Sequence, residues 1–288
     1  MDSVIRTRTP EIPAEGIRDQ YADGKAADFL KIVIGDGKER TQAYRGFIVS
    51  LFRENGCKRI LDVACGTGID SIMLIEEGFQ VVSVDASDKM LKYALKDRWD
   101  RRKEPGFDDW VIEEANWFTL AKDIGHLIGD GFDAVICLGN SFSHIYAVGG
   151  DQSKQKQVLK NFKMCLKPGG FLLMDHRNYD HILNGGAAPS KCIYLKSPLL
   201  KDVKTSVYSV GGIPEEIIQD YFVSSDENDE NPGKQNHLRL SAYPNQLKSV
   251  KNMLREIFSQ TNHKIFGDYK PLNEVKDPAF FIHFIQNK

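Results

Sequence analysis

The residues best placed to do chemistry stand at the ends of short apolar runs. Leu61-Asp62-Val63-Ala64-Cys65-Gly66-Thr67-Gly68-Ile69-Asp70 leaves a strand-like run and enters a helix-like one, the setting that a nucleotide-binding turn requires. Gly66 and Gly68 let the backbone bend sharply and let a ligand approach it without meeting Cβ atoms. Ser71 occupies the place where a dinucleotide-binding turn has a third glycine beside the pyrophosphate. The turn therefore favours a ligand without a phosphate over a nicotinamide dinucleotide, and S-adenosylmethionine is such a ligand. Asp85 ends the next apolar run, 19 residues after Gly66, where a carboxylate can accept hydrogen bonds from both hydroxyls of a ribose. Asn116 and Trp117 follow the third run and offer an amide and an aromatic face to an adenine ring. Taken singly, these are a tight turn, a helix N-cap and a packed loop. At three consecutive strand ends on one sheet edge they define a ligand site.

The elements that hold these residues alternate regularly. Strands are expected at Arg59–Ala64, Gln80–Asp85, Trp110–Glu114, Phe132–Leu138 and Gly170–Asp175, with helices near Gly68–Glu77, Ser87–Arg102 and Gln152–Leu166 between them. ILDVA, DAVICL and FLLMD are continuous apolar runs, as strands covered by helices on both faces require. The fold class is α/β: a doubly wound, Rossmann-like, seven-stranded sheet. A helix from about Asn245 to Phe258 and strands His263–Tyr269 and Phe280–Ile285 complete it. Between residues 178 and 241 the rhythm changes to β-type runs, Cys192–Lys196, Lys204–Val210, Ile217–Val223 and Leu238–Tyr243, joined by turn-rich sequence. That pattern is an antiparallel insert or lid. The organisation is thus an N-terminal arm (1–45) with one helix near Gly24–Val33, a ligand-binding domain (46–177), a β-rich lid (178–241), and a completion of the main sheet (242–288).

Bulk composition narrows the classes. In 288 residues, 41 % are hydrophobic and 27 % charged, with net charge −2, so no field of one sign attracts nucleic acid or an anionic membrane. The five cysteines are scattered, without a C-x-x-C pair, which points to free thiols in a reducing compartment and away from a disulfide frame or a metal site. No apolar run approaches the ~20 residues of a membrane span, and the charged first ten residues lack the apolar run of a secretory signal. The expectation is a cytoplasmic protein.

The segments RILDVACGTGIDSIMLIEEGF, SVDASDKMLKYALK, WVIEEANW, FDAVICLGNSFSH and DHRNYDHIL closely resemble the glycine N-methyltransferase family. The likeness continues in EGIRDQYADG near the N-terminus and in GDYKP and FFIHF near the C-terminus, and covers nearly the whole chain. It implies a cytoplasmic homotetramer that methylates the amine of glycine from S-adenosylmethionine, giving sarcosine and S-adenosylhomocysteine, with folate as a possible inhibitor. By the resemblance, Tyr21, Arg40, Ala64, Gly66, Asp85, Ala86, Met90, Asn116, Trp117, Leu138, Ser141 and His144 hold the cofactor, Arg40 pairing with its carboxylate. Arg177, Asn140, Gly139 and Tyr221 surround the substrate, and Glu15 comes from a neighbouring subunit. Physical chemistry agrees with Arg177: a planar guanidinium clamps a carboxylate by two parallel bonds and so fixes the direction of the amine. The sulfonium methyl is already activated, so positioning is the protein's task and no general base is assigned.

Four positions depart from the family pattern. Val33 and Leu195 stand where tyrosines are usual, Leu30 where a tryptophan is, and Ile5 where the arm has a tyrosine. Lost phenols change which ligands a polar site discriminates. Alternatives to glycine therefore stay open: sarcosine, a bulkier amino acid, or a low-turnover cofactor- or folate-binding role.

Overall fold

The computed structural model describes residues 3–6, 21, 24–34, 42–185, 199–224, 236–259 and 262–288. In chain order the strands and helices are β1 (Ser3–Arg6), α1 (Lys25–Ile34), α2 (Gln42–Glu54), β2 (Arg59–Asp62), α3 (Ile69–Glu76), β3 (Gln80–Asp85), α4 (Asp88–Asp100) and β4 (Val111–Glu114). Two single turns of helix, α5 (Leu120–Asp123) and α6 (Gly125–Ile128), lead to β5 (Phe132–Cys137), α7 (Ser153–Met164), β6 (Leu166–Arg177) and α8 (Tyr179–Gly185). Then come β7 (Leu200–Val210), β8 (Ile213–Val223), β9 (Asn236–Ala242), α9 (Leu247–Ile257), β10 (His263–Gly267), β11 (Lys270–Pro271) and β12 (Phe280–Gln286).

The main sheet has the order β11-β10-β12-β6-β5-β2-β3-β4. The seven strands expected are joined at one edge by the two-residue β11, which closes a hairpin with β10. Strands β6, β5, β2, β3 and β4 run parallel, while β12 is antiparallel to both β6 and β10. Successive residues of each central strand feed opposite cores. Ile60, Ala134, Ile136 and Leu173 pack with Tyr44, Ile48 and Phe52 of α2 and Met73 and Leu74 of α3. Leu61, Val135, Cys137 and Leu172 pack with Val158, Leu159 and Phe162 of α7 and with α9. On α9 the buried residues are Val250, Met253, Leu254 and Ile257, the i, i+3, i+4, i+7 stripe of a helix with one apolar face.

Helices α2, α5, α6 and α8 and strand β1 were not expected. Helix α2 crosses residue 45, and its Tyr44 is buried in the main core. Strand β1 pairs antiparallel with β7 from Ser3↔Val210 to Arg6↔Val207, adding a fourth strand to the lid sheet β1-β7-β8-β9. The run Cys192–Lys196 lies outside the described residues. Helix α1 packs Ala26 and Phe29 against Val223 and Leu238 of the lid, so helix and lid together roof the carboxyl ends of the parallel strands. Among the described residues no helix is long and apolar enough to cross a membrane.

Candidate active site

The chain runs from β2 outward through β3 to β4, then returns to place β5 on the other side of β2. Crevices open at the carboxyl ends of strands where the order reverses in this way. Here a cavity of about 520 Å³ lies at that point, beneath α1 and the lid.

At its floor is the glycine turn. Gly68 has φ +90°, and a Cβ there would meet Trp110 at 2.6 Å, so both the backbone conformation and the space require glycine. The amide of Gly66 donates to Asp85 Oδ2 at 2.9 Å, and the amide of Ser87 donates to Asp85 Oδ1 at 2.9 Å. One carboxylate thus ties the turn after β2 to the start of α4. The amide of Gly68 is also engaged, donating to the Cys65 carbonyl at 2.8 Å. With these amides spent and Asp70 and Asp85 lining the cavity, the turn is a poor anion cradle. It suits a ligand carrying positive charge and ribose hydroxyls.

Ser71, which marks the missing third glycine, has a structural role. Trp110 Nε1 donates to Ser83 Oγ, Ser83 to Ser71 Oγ, and Ser71 to Asp62 Oδ2, each at 2.7 Å. Asp62 Oδ1 accepts the amide of Ala64 at 3.2 Å. The row is buried from end to end, and burial pushes the Asp62 carboxyl up to about 7 even though the Ser71 hydrogen bond opposes the shift. A glycine at residue 71 would leave this carboxylate without its hydroxyl donor.

Asn116 and Trp117 line the next wall. Asn116 Oδ1 accepts the amide of Phe118 at 2.9 Å, which turns the carboxamide and fixes its donor end. The Trp117 indole N–H donates to the Val63 carbonyl and its ring packs edge-on against Phe162, 5.4 Å between centroids. Both groups are therefore held rigid beside Ala86, Met90, Leu138 and Ser141, which also face the cavity. The Tyr21 hydroxyl lies 3.2 Å from His144 Nε2. Burial holds the His144 imidazole below its usual range.

The opposite end is built on Asn140, a non-glycine residue at φ +66°. Asp175 holds this bend by accepting the amides of Gly139 at 3.0 Å and Asn140 at 2.6 Å. The Asn140 Oδ1 accepts the amide of Arg177 at 3.0 Å, and its Nδ2 donates to the Tyr179 hydroxyl at 2.8 Å. Asn140 thus braces the backbone that carries Arg177. The Arg177 guanidinium donates to the Tyr221 hydroxyl at 3.1 Å and lies over the Phe280 ring at 4.9 Å. Asn140, Gly139, Arg177 and Tyr221 all line the same cavity as Asp85.

Of the residues named from the sequence, Arg40, Glu15 and Leu195 lie outside the described residues, as do the side chains of Val33 and Ile5. The others named for cofactor or substrate converge on the one cavity. The sequence reading did not single out Gln219, Leu200, Leu238 and Leu240 of the lid sheet, Phe29 of α1 or Phe280 of β12, which line the cavity with Leu30. Gln219 was within reach: it stands two residues before Tyr221 on β8, and alternate residues of a strand share a face. Its Oε1 accepts the Tyr221 hydroxyl at 3.0 Å. Among the described residues no group of histidine, cysteine and carboxylate side chains could hold a metal ion.

Comparison with known proteins places this geometry in context. A family model described as a methyltransferase domain matches residues 54–220. The glycine N-methyltransferase of Mus musculus is 53 % identical over 292 aligned positions, covering 99 % of both chains. A glycine/sarcosine N-methyltransferase of Parasynechococcus marenigrum is 33 % identical, covering 88 % of this chain and 80 % of that one. Among solved structures, an S-adenosylmethionine-dependent methyltransferase from Clostridium acetobutylicum superposes with a TM-score of 0.63 at 17 % identity, covering 92 % of this chain and 98 % of that one, a likeness of fold.

Proposed function

The chain belongs to the glycine N-methyltransferase family, and on that premise we propose that the cavity binds S-adenosylmethionine and that the enzyme methylates the amine of glycine, giving sarcosine and S-adenosylhomocysteine. The observation that carries this reading is the polarity of the cavity: a ribose-type carboxylate, Asp85, at one end and a braced guanidinium, Arg177, at the other.

When bound, S-adenosylmethionine supplies a methyl group on a positively charged sulfur, already activated for attack by an amine. Asp85 would accept from the ribose hydroxyls, Asn116 would donate to the adenine, and the Trp117 face would cover it. Arg40 would pair with the methionyl carboxylate, as the resemblance implies, and Tyr21, held against His144, would close the cavity over the reacting centre. Arg177 takes the glycine carboxylate by its fork and turns the amine inward. The chain supplies orientation and exclusion of water. A neutral amine needs no base, and His144, pushed toward its neutral form by burial, leaves the field around the transferring methyl unchanged near neutral pH. Incubation of the purified protein with methyl-labelled S-adenosylmethionine and glycine should give labelled sarcosine. Label that stays on the donor while the donor is bound would end this reading.

A larger acceptor is the second reading, favoured by the apolar lid-side wall of Leu30, Leu200, Leu238 and Leu240. A screen of sarcosine and bulkier amino acids in the same assay separates the two, and adding folate there tests inhibition. We also propose a homotetramer in which the arm, with Glu15, reaches a neighbouring site. The exposed Val210 and Ile213 at the tip of the β7–β8 hairpin, beside the edge strand β1, support an assembly contact, and sedimentation analysis tests it. A cytoplasmic location is supported by the free, buried Cys57, Cys65, Cys137 and Cys165, which a reducing compartment keeps as thiols.

A further inference from the structure

We propose that Gln219 is a substrate-binding, specificity-determining residue whose Nε2 donates to the carboxylate of the methyl acceptor alongside Arg177. The inference rests on the acceptor being an amino acid, as proposed above.

Gln219 is 6 % exposed and lines the cavity. Its two neighbours across the lid sheet are Thr205 on β7 and Leu240 on β9, and Leu200 and Leu238 share the cavity wall with it. The hydrogen bonds here fix which end of the amide faces which way. Arg177 can only donate, so the Tyr221 oxygen accepts from it at 3.1 Å and the Tyr221 proton must be given elsewhere. It goes to Gln219, 3.0 Å away, so the atom facing Tyr221 is the amide oxygen and the NH₂ points away from it. That Nε2 is buried and has no hydrogen-bond partner among the described residues.

A buried donor left without a partner costs free energy, and such groups are rare in native folds unless a ligand or water completes them. A leucine would fill this place in a wall of leucines without that cost. The donor instead sits in a relay with the guanidinium, joined to it through one phenol. The oxygen that completes it is the one the acceptor brings. A carboxylate has two oxygens and several lone pairs, enough for Arg177 to hold one side while Gln219 donates to the other. The relay then orders three groups at once: acceptor binding fixes the amide, the amide fixes the phenol, and the phenol fixes the guanidinium.

Two substitutions separate this role from a purely structural one. Gln219→Glu keeps an oxygen for the Tyr221 hydroxyl but replaces the donor by a second acceptor. Gln219→Leu removes both ends and leaves an apolar wall. For Gln219→Leu the expected result is a rise of about tenfold in the KM for glycine, with kcat and the Kd for S-adenosylmethionine within about threefold of the parent. Gln219→Glu, facing one carboxylate with another, should be worse, about a hundredfold or more in KM. A Gln219→Glu enzyme with the parental KM would show that the residue only holds Tyr221, and would overturn the proposal. So would an unchanged KM in Gln219→Leu. Parallel assay of the parent distinguishes the premises: turnover of glycine by the parent with unaltered variants sinks Gln219 alone, whereas a parent that binds the donor and transfers nothing to glycine sinks both readings.

Discussion

Acid should destabilise this fold through three histidines that are not part of the cavity. His176 on β6, His283 on β12 and His263 on β10 form a hydrogen-bonded row, with His176 Nε2 to His283 Nε2 at 3.0 Å and His263 Nε2 to His283 Nδ1 at 3.0 Å. His176 Nδ1 donates to the Arg177 carbonyl at 2.9 Å, which sets every proton in the row. His176 Nε2 must accept, so His283 Nε2 donates and its Nδ1 accepts from His263. Each ring carries one proton, and a second on His176 or His283 would bring two N–H groups face to face. Burial pushes His176 down to about 4, and pushes His283 well down, helped by the two neighbouring rings and Lys251. His263 also falls to about 4, from burial with Arg255 and Lys251 nearby.

The sign follows from proton counts. Below the unfolded value of about 6.5 the unfolded chain binds protons that the native row refuses, so stability is full above pH 6.5 and falls as pH drops toward 4. For one ring shifted from about 6.5 to about 4, the loss between pH 8 and pH 5 is about 2 kcal/mol. Asp62, raised to about 7, acts in the opposite sense over the same range by about as much. The parent's own pH curve therefore mixes the two. His283→Gln separates them, because glutamine keeps one donor and one acceptor in the row and does not titrate. In urea unfolding at pH 8 and pH 5, the parent should lose about 2 kcal/mol more than the variant. Parallel curves for the two proteins would refute the reasoning, whatever their absolute stabilities.

Other perturbations test the site directly. Arg177→Lys keeps a charge but loses one bond of the fork, about 2 kcal/mol, so the KM for glycine should rise about thirtyfold with donor affinity unchanged; parental kinetics would remove Arg177 from the acceptor site. Ser71→Ala strips a donor from the buried Asp62 and an acceptor from Ser83, and denaturant unfolding should show a loss of about 2 kcal/mol. An undiminished midpoint would mean the row relaxes freely. Asp85→Asn keeps one acceptor oxygen, so either Gly66 or Ser87 loses its partner, and calorimetry should find S-adenosylmethionine bound about tenfold more weakly or worse. Equal affinity would move the ribose site elsewhere.

The sequence by itself determined what depends on neighbours along the chain. Strand β3 falls at Gln80–Asp85 as its apolar run indicates, and α9 falls within the stripe from Asn245 to Phe258, because period-two and 3.6-residue patterns are local. The turn through Gly66 and Gly68 was legible because its backbone excludes a Cβ at Gly68. Helix α2 was missed although Tyr44, Ile48, Val49 and Phe52 mark a face, since Gly46 within it and the irregular arm before it blurred its start.

Only the tertiary structure decided where the polar groups find partners. The histidine row joins residues 107 and 20 positions apart because β12 lies between β6 and β10 in a particular register. Ser71 reads from the sequence as an absent glycine, and only the packing of β2, β3 and Trp110 shows it as the donor to Asp62. The Gln219 Nε2, without a partner among the described residues, is invisible until Tyr221 and Arg177 are brought against the amide. Periodicity fixes which side of an element is buried; which donor meets which acceptor is set by strand order and register, and these are settled between segments far apart in the chain.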